Sequence, residues 1–259
     1  MDPVDYERAA AGYDRRYTAG VPAGLAELVR ACGKEAAGDR PVLDVGCGTG
    51  RWTSEAIAAG RRAVGLDPSA GMLGRACARL PTAEFVRGRA ESLPFASGRF
   101  GAVLCVYVIH HLDHPARFVT EAARVLVRSG TLAVAALAPH DGQDDWYLYD
   151  YFDGMREADV GRYPRTGAIR DWMTAAGLID VETTMAARLK GTARGAAVLE
   201  DPILTRDGTC QLSLLSDEEF ERGLARIRGR GARGADVVPD RPPDLRHHRP
   251  ETLKPPSKC

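Results

Sequence analysis

The stretch Val42–Gly50, VLDVGCGTG, decides the fold. One carboxylate, Asp44, stands inside an apolar run, and three glycines follow within five positions, Gly46, Gly48 and Gly50. A chain leaving a buried strand into such a turn adopts φ angles that other residues avoid, and it is expected to present bare backbone N–H groups to a ligand. About twenty residues onward, AVGLDPS (Ala63–Ser69) ends a second short apolar run in Asp67, whose two carboxylate oxygens suit the two hydroxyls of a ribose.

Outward from this pair, strand and helix alternate. Runs at Val42–Val45, Ala63–Leu66, Glu84–Arg87, Gly101–Val108 and Thr131–Ala136 read as strands, and Trp52–Ala59, Ala70–Arg79 and Pro115–Val127 as the helices between them. Short apolar runs joined by helices predict a doubly wound, mostly parallel α/β sheet. Its ligands bind beyond the carboxyl ends of the strands, where the strand order reverses. Periodicity also predicts helices over Val4–Tyr17 and from Leu25 to Cys32, a helix Ile169–Ala176 closed by Gly177, and a strand Leu178–Met185. A further helix, Ser216–Ile227, opens with a capping box of Ser216 and Glu219.

The organisation that follows is an N-terminal helical cap over 1–38, a cofactor-binding core over 39–138, an aromatic lid insertion over 139–168, the rest of the core with helical additions over 169–235, and a Pro- and Arg-rich disordered tail over 236–259. The lid holds Trp146, Tyr147, Tyr149, Tyr151, Phe152 and Tyr163, a surface that suits a flat or apolar acceptor if those rings face a cavity.

Lys plus Arg and Asp plus Glu balance at 35 each in 259 residues, so no global field draws nucleic acid or an anionic membrane. The expected partner is a small molecule. The short Arg-rich segment from Arg226 to Arg233 reads as a solvated helix face. Six scattered cysteines without a C-x-x-C pair read as reduced core thiols of a cytoplasmic protein. No apolar segment approaches the roughly 20 residues of a membrane span, and no signal-peptide core opens the chain. His247 and His248 are too isolated for a metal site, and nothing else offers ligand spacing, so no metal is expected.

The glycine turn reads G-x-G-x-G followed by Arg51 and Trp52, so its third glycine arrives one residue early for the dinucleotide fingerprint. Arg51 and Trp52 read as helix surface and packing. In order, VLDVGCGTG, VGLDPSAGML, GRAESLPFASGRFGAVLCVYVIHHL and ARVLVRSGTLAVA resemble the successive motifs of the class I S-adenosylmethionine-dependent methyltransferases, especially the small-molecule, ubiquinone-biosynthesis-like branch of the methyltransferase domain 11 type. The resemblance runs from about Tyr6 to Val181. It implies a Rossmann-like methyltransferase fold, S-adenosylmethionine as cofactor, and methyl transfer to an O, N or C nucleophile of a small organic acceptor, such as a secondary metabolite or quinone-like ring.

The resemblance also implies roles. Asp44 and the backbone of Gly46, Gly48 and Gly50 would hold the amino-acid end of the cofactor, Asp67 the ribose, Met72 the adenine face, Ala90 the adenine edge through its backbone, and Val106 the floor. Arg89 departs from the Asp usual before that Ala, leaving Glu91 or a backbone carbonyl to accept from the adenine amino group. A strand ending near Val108 puts His110 and His111 at the ligand-facing edge, where an imidazole titrating near neutrality serves as a general base. His111 matches the place of the catalytic histidine in relatives that have one, and Tyr13 and Tyr17 resemble tyrosines that fold over the cofactor. His114 before Pro115 reads as a helix-start residue. The family's sheet ends in an antiparallel hairpin, whereas after Ile227 this chain offers ADVVP and then prolines, so the last strand is expected to be stunted or absent. Two other readings stand beside methyl transfer. One is a catalytically silent cofactor-binding or assembly protein. The other is a nicotinamide-dependent reductase, disfavoured by the glycine spacing and the lack of a Tyr-x-x-x-Lys pair.

Overall fold

The computed structural model describes residues 6–10, 13–14, 22–32, 39–142, 146–186, 195–201, 203–206 and 208–231. Five strands, β1 (Val42–Val45), β2 (Ala63–Asp67), β3 (Glu84–Arg87), β4 (Phe100–Val106) and β5 (Leu126–Ala135), form one sheet in the order β3-β2-β1-β4-β5 with every pairing parallel. Every residue of β1, β2 and β4 is buried, as strands covered on both faces require. The strand order reverses between β1 and β4, which opens the ligand crevice beyond their carboxyl ends.

Helices α1 (Tyr6–Ala9), α2 (Ala23–Ala31), α3 (Arg51–Ala58), α4 (Ala70–Arg79), α5 (Pro115–Val125), α6 (Leu148–Tyr151), α7 (Met155–Arg162), α8 (Thr166–Ala175), α9 (Cys210–Ser213) and α10 (Asp217–Gly231) complete the described elements, with three short 3-10 turns. The period of two along each strand divides the core. Val42 of β1 and Ala102, Leu104 and Val106 of β4 pack with Leu25 and Val29 of α2 and Trp52 and Ala56 of α3. Leu43 and Val45 of β1 and Val103 and Cys105 of β4 turn the other way, to Phe118, Val119 and Ala122 of α5 and Met173 of α8. Arg51 pairs with Glu55 at 3.1 Å while Trp52 is buried. His114 stands at the cap of α5 and Pro115 at its first position, where the missing N–H has no helical partner to lose.

A third core lies apart from the sheet. Tyr147, Leu148, Tyr151, Phe152 and Met155 pack against Val198, Leu212, Phe220, Leu224 and Ile227, so the insertion and the C-terminal helices share one interior. Most of the aromatic residues of the lid therefore face their own helical layer and not a cavity, and an apolar acceptor surface does not follow from them. The capping box of α10 is present: Ser216 N–H donates to Glu219 Oε2 at 2.8 Å, and Glu219 N–H to Ser216 Oγ at 3.2 Å.

Two expectations change. Leu178–Met185 forms no strand: Asp180 takes φ 54°, which breaks an extended run, and Ile179 is 83% exposed, so the sequence alternation has no sheet to face. The N-terminal helix is short, ending at Ala9, with Tyr13 and Asp14 in a separate turn. Tyr17, the segment ADVVP, His247, His248 and the tail over 236–259 lie outside the described residues. Among the described residues, no helix is long and apolar enough to cross a membrane.

Candidate active site

Parallel strands end in carbonyls that need donors, and the glycine turn supplies them. Leaving β1, Gly46 N–H and Cys47 N–H both donate to the Leu66 carbonyl of β2, at 2.7 and 3.0 Å. Gly48 N–H donates to Asp67 Oδ2 at 2.9 Å, and Gly50 N–H to the Cys47 carbonyl. The amides expected to be bare are thus spent inside the protein. What the turn and its neighbours offer a ligand is a set of oxygens.

Two positions in the turn demand glycine for different reasons. Gly46 has φ 70°, and a Cβ there would lie 2.4 Å from Val108 Cγ2. Gly48 has φ 53°, but a Cβ would meet only the Tyr13 ring, at 3.8 Å, so space lies between that ring and the turn. Asp44 is 1% exposed and accepts from the Thr53 hydroxyl at 2.6 Å; burial pushes its pKa up to about 6 despite that bond. Asp67 is also raised by burial, with Ser69 N–H (2.9 Å) and Gly48 N–H opposing the rise. Among the described residues neither carboxylate pairs with a cation. Met72, Ala90 and Val106 are all buried beside this edge of the sheet.

The N-terminal segment clasps this edge. Glu7 of α1 accepts from Ala70 N–H and Gly71 N–H at 2.7 and 2.8 Å, at the start of α4, and these bonds hold its carboxyl below the usual range. The Thr49 hydroxyl donates to Asp14 at 2.6 Å, next to Tyr13. Arg89 turns outward to Asp113 at 2.7 Å. Glu91, 6% exposed, accepts the Asp113 N–H at 3.1 Å, so its Oε1 already ties together the loops that follow β3 and β4.

β4 stops at Val106 because Tyr107 takes φ 59°, a left-handed conformation costly for a large side chain. The chain then winds through a 3-10 turn, Ile109–His111, and both histidines arrive beyond the strand's end. His110 is 8% exposed, and burial drives its pKa far below the usual value, so the ring stays neutral. It stacks on Tyr163 at 4.0 Å with planes 17° apart, and its Nε2 lies 3.2 Å from the Tyr163 hydroxyl and 3.7 Å from Cys210 Sγ. His110 Nδ1 is buried with no hydrogen-bond partner among the described residues. His111, half-buried, holds its Nε2 2.7 Å from the Tyr6 hydroxyl of α1.

Sequence reading missed Tyr6, Tyr163, Arg162 and Cys210. No local pattern marks them; Cys210 lies 100 positions from His110 and meets it only through the packing of the lid. The other thiols behave as core groups: burial pushes Cys32 up to about 12 and raises Cys47 and Cys105 as well.

Residues 43–134 match the family described as methyltransferase domain. A demethylmenaquinone methyltransferase of Beutenbergia cavernae is 32% identical over 162 residues, 58% of this chain and 67% of that protein. A phthiotriol/phenolphthiotriol dimycocerosates methyltransferase of Mycobacterium leprae is 38% identical over 109 residues, 40% of each chain. A crystal structure of a candidate methyltransferase from an antibiotic biosynthesis pathway of Anabaena variabilis shares the fold at TM-score 0.69 and 21% identity, covering 85% of this chain and 89% of that one. The sheet and these likenesses define a methyl-transferring enzyme of the Rossmann-like type. The chain belongs to the class I S-adenosylmethionine-dependent methyltransferases, and S-adenosylmethionine is its methyl donor.

Proposed function

We propose that the protein methylates a small organic acceptor at oxygen, nitrogen or carbon, with His111 taking the acceptor's proton. The observation that carries this reading is the chemistry of the cofactor edge. The amides of Gly46, Cys47, Gly48 and Gly50 are consumed within the protein and two buried carboxylates stand without cationic partners among the described residues, so the edge suits a ligand bearing a sulfonium, an ammonium and a diol, and repels a pyrophosphate.

On this reading Asp67 holds the ribose hydroxyls, through lone pairs left beside its two backbone bonds, while Asp44 and the turn from Gly46 to Gly50 face the amino-acid end. Met72 covers the adenine, the Ala90 backbone meets its edge, and Val106 forms the floor. Glu91 is committed to Asp113 through Oε1, which leaves the adenine amino group to a backbone carbonyl or to Oε2. Tyr13, over Gly48, closes the cradle.

When bound, the cofactor would supply an electrophilic methyl group to the acceptor's lone pair, with its sulfonium charge neutralised on transfer. The protein's share is to exclude water, align the acceptor and receive its proton. His111 is oriented by Tyr6, and the neutral ring of His110 packs beside it with centroids 3.9 Å apart. The names of the two relatives, one for demethylmenaquinone and one for phthiotriol/phenolphthiotriol dimycocerosates, support a non-polymeric acceptor. Buried, protonated thiols support work in the cytoplasm.

Titration calorimetry with S-adenosylmethionine, followed by a mass-shift screen of cell extract for methylated products, tests the reading. His111→Ala is expected to keep cofactor affinity and lower kcat by about 10²–10⁴-fold. Full turnover in that variant removes His111 from the chemistry.

A further inference from the structure

We infer that His110, His111 and Cys210 form a binding site for a borderline-soft divalent cation of the zinc class, which fastens the lid to the end of β4. Each of the three brings one ligand atom within 4.8 Å of the others, and two come from the turn after β4 while the third opens α9. A tetrahedral zinc with bonds of about 2.0 Å to nitrogen and 2.3 Å to sulfur separates those donors by about 3.5 Å. His110 Nε2 and Cys210 Sγ already stand 3.7 Å apart, so binding requires His111 to close by roughly 1 Å.

The donor set is one thiolate and two imidazoles, a combination that favours zinc and its neighbours over magnesium or calcium.

The surroundings hold the donors in place as outer partners do in metal sites. Tyr6 fixes the His111 ring at 2.7 Å, and Tyr163 stacks on His110. Arg162 Nη2 donates to Cys210 Sγ at 3.7 Å, a contact that suits a thiolate; the Cys210 thiol donates to Gln211 Oε1 at 3.1 Å, a proton that must leave on metal binding, and Gln211 Nε2 donates to Asp159 at 3.0 Å. The Arg162 cation faces the Asp159 carboxylate at 3.7 Å, so the pocket carries no large excess of positive charge against an incoming cation. The Tyr163 hydroxyl, 3.2 Å from His110 Nε2, yields that nitrogen on binding.

A ligated His111 has no lone pair left to take a proton, so the cation-bound form and the base role of His111 exclude each other. Cation binding is read without turnover, and its failure is separable from failure of methyl transfer. Untagged full-length protein, stripped with chelator, is titrated with Co²⁺ and then with Zn²⁺. One equivalent of cobalt is expected to give a thiolate charge-transfer band and tetrahedral ligand-field bands, both bleached by zinc. Cys210→Ser should abolish the charge-transfer band, and His110→Ala should weaken zinc by more than the about 10–100-fold that outer-shell changes cost. Tyr6→Phe, an outer-shell change, should cost no more than that. Cys77→Ser, at an exposed thiol on α4, should bind as the parent does. Cofactor affinity of each variant, measured alongside, reports whether it has folded. No stoichiometric binding by the parent, or an unchanged band in a folded Cys210→Ser protein, overturns the inference.

Discussion

The edge of the sheet and the lid solve opposite problems. At the edge, apolar strands buried on both faces end in carboxylates and a glycine turn. Nearly all of that apparatus comes from two contiguous stretches, Val42–Gly50 and Ala63–Ser69. The lid has a separate apolar core, yet beside it lies a buried polar web of Asp159, Arg162, Tyr163, Cys210, Gln211 and His110, drawn from three distant segments. In that web Arg162 Nη1 and Asp159 Oδ1 face each other as an ion pair at 3.7 Å, while His110 Nδ1 has no hydrogen-bond partner among the described residues. A buried polar atom left short of a partner is costly, and on the proposed reading an acceptor or ion would complete it on this side. The glycine turn is closed by its own backbone bonds, whereas the polar web leaves His110 Nδ1 over.

The sharpest break in this comparison comes from Gly46. Gly46→Ala adds left-handed strain of about 1–2 kcal/mol and drives a methyl into Val108, at about 1–3 kcal/mol more, so urea unfolding should show a loss of about 2–5 kcal/mol together with lost cofactor binding. Gly60→Ala, at φ 78° with nothing near its Cβ, isolates the strain alone, at about 1–2 kcal/mol with the cofactor still bound. Equal losses in the two variants would mean that Val108 gives way and the turn is not tightly packed.

Next in size is Leu148→Ala, in the fully buried interior of the lid. The cavity should cost about 3 kcal/mol. If the two regions are as independent as their separate cores imply, the cofactor affinity measured by calorimetry stays within about threefold while acceptor KM rises. Loss of cofactor binding would show that the lid supports the sheet's edge.

Asp44→Asn runs the other way. The folded pKa of Asp44, about 6, lies above its unfolded value of 3.8, so ionisation costs the native state stability as pH rises through that window. Asn removes the cost: at pH 7.5 the variant should be more stable by up to about 3 kcal/mol, the gain fading to nothing near pH 4, while cofactor affinity falls. A variant no more stable at pH 7.5 than at pH 4, relative to the parent, would show that Asp44 is already satisfied.

The fold was legible where chemistry is local. β1 and β2, with the glycines and carboxylates that end them, follow from short runs of Val, Leu and Ala and from residues near in sequence. The run Leu178–Met185 has the same alternation and forms no strand, because a strand needs a neighbour, and what lies beside a segment is not written in its period. His110 and His111 could be placed at the edge, yet the left-handed Tyr107 that ends β4 and turns them there gave no signal.

The chain's own order of residues determined the alternation of strand and helix, the crevice beyond β1, and the acidic, glycine-rich character of the cofactor edge, since each depends on groups a few positions apart. Only the folded arrangement decided that the loop's amides turn inward, that the aromatic rings build the lid's interior, and that Tyr6, Tyr163 and Cys210 surround the two histidines. Those contacts join segments separated by tens to a hundred residues, and their partners are chosen by what packing leaves exposed, a property of the whole molecule.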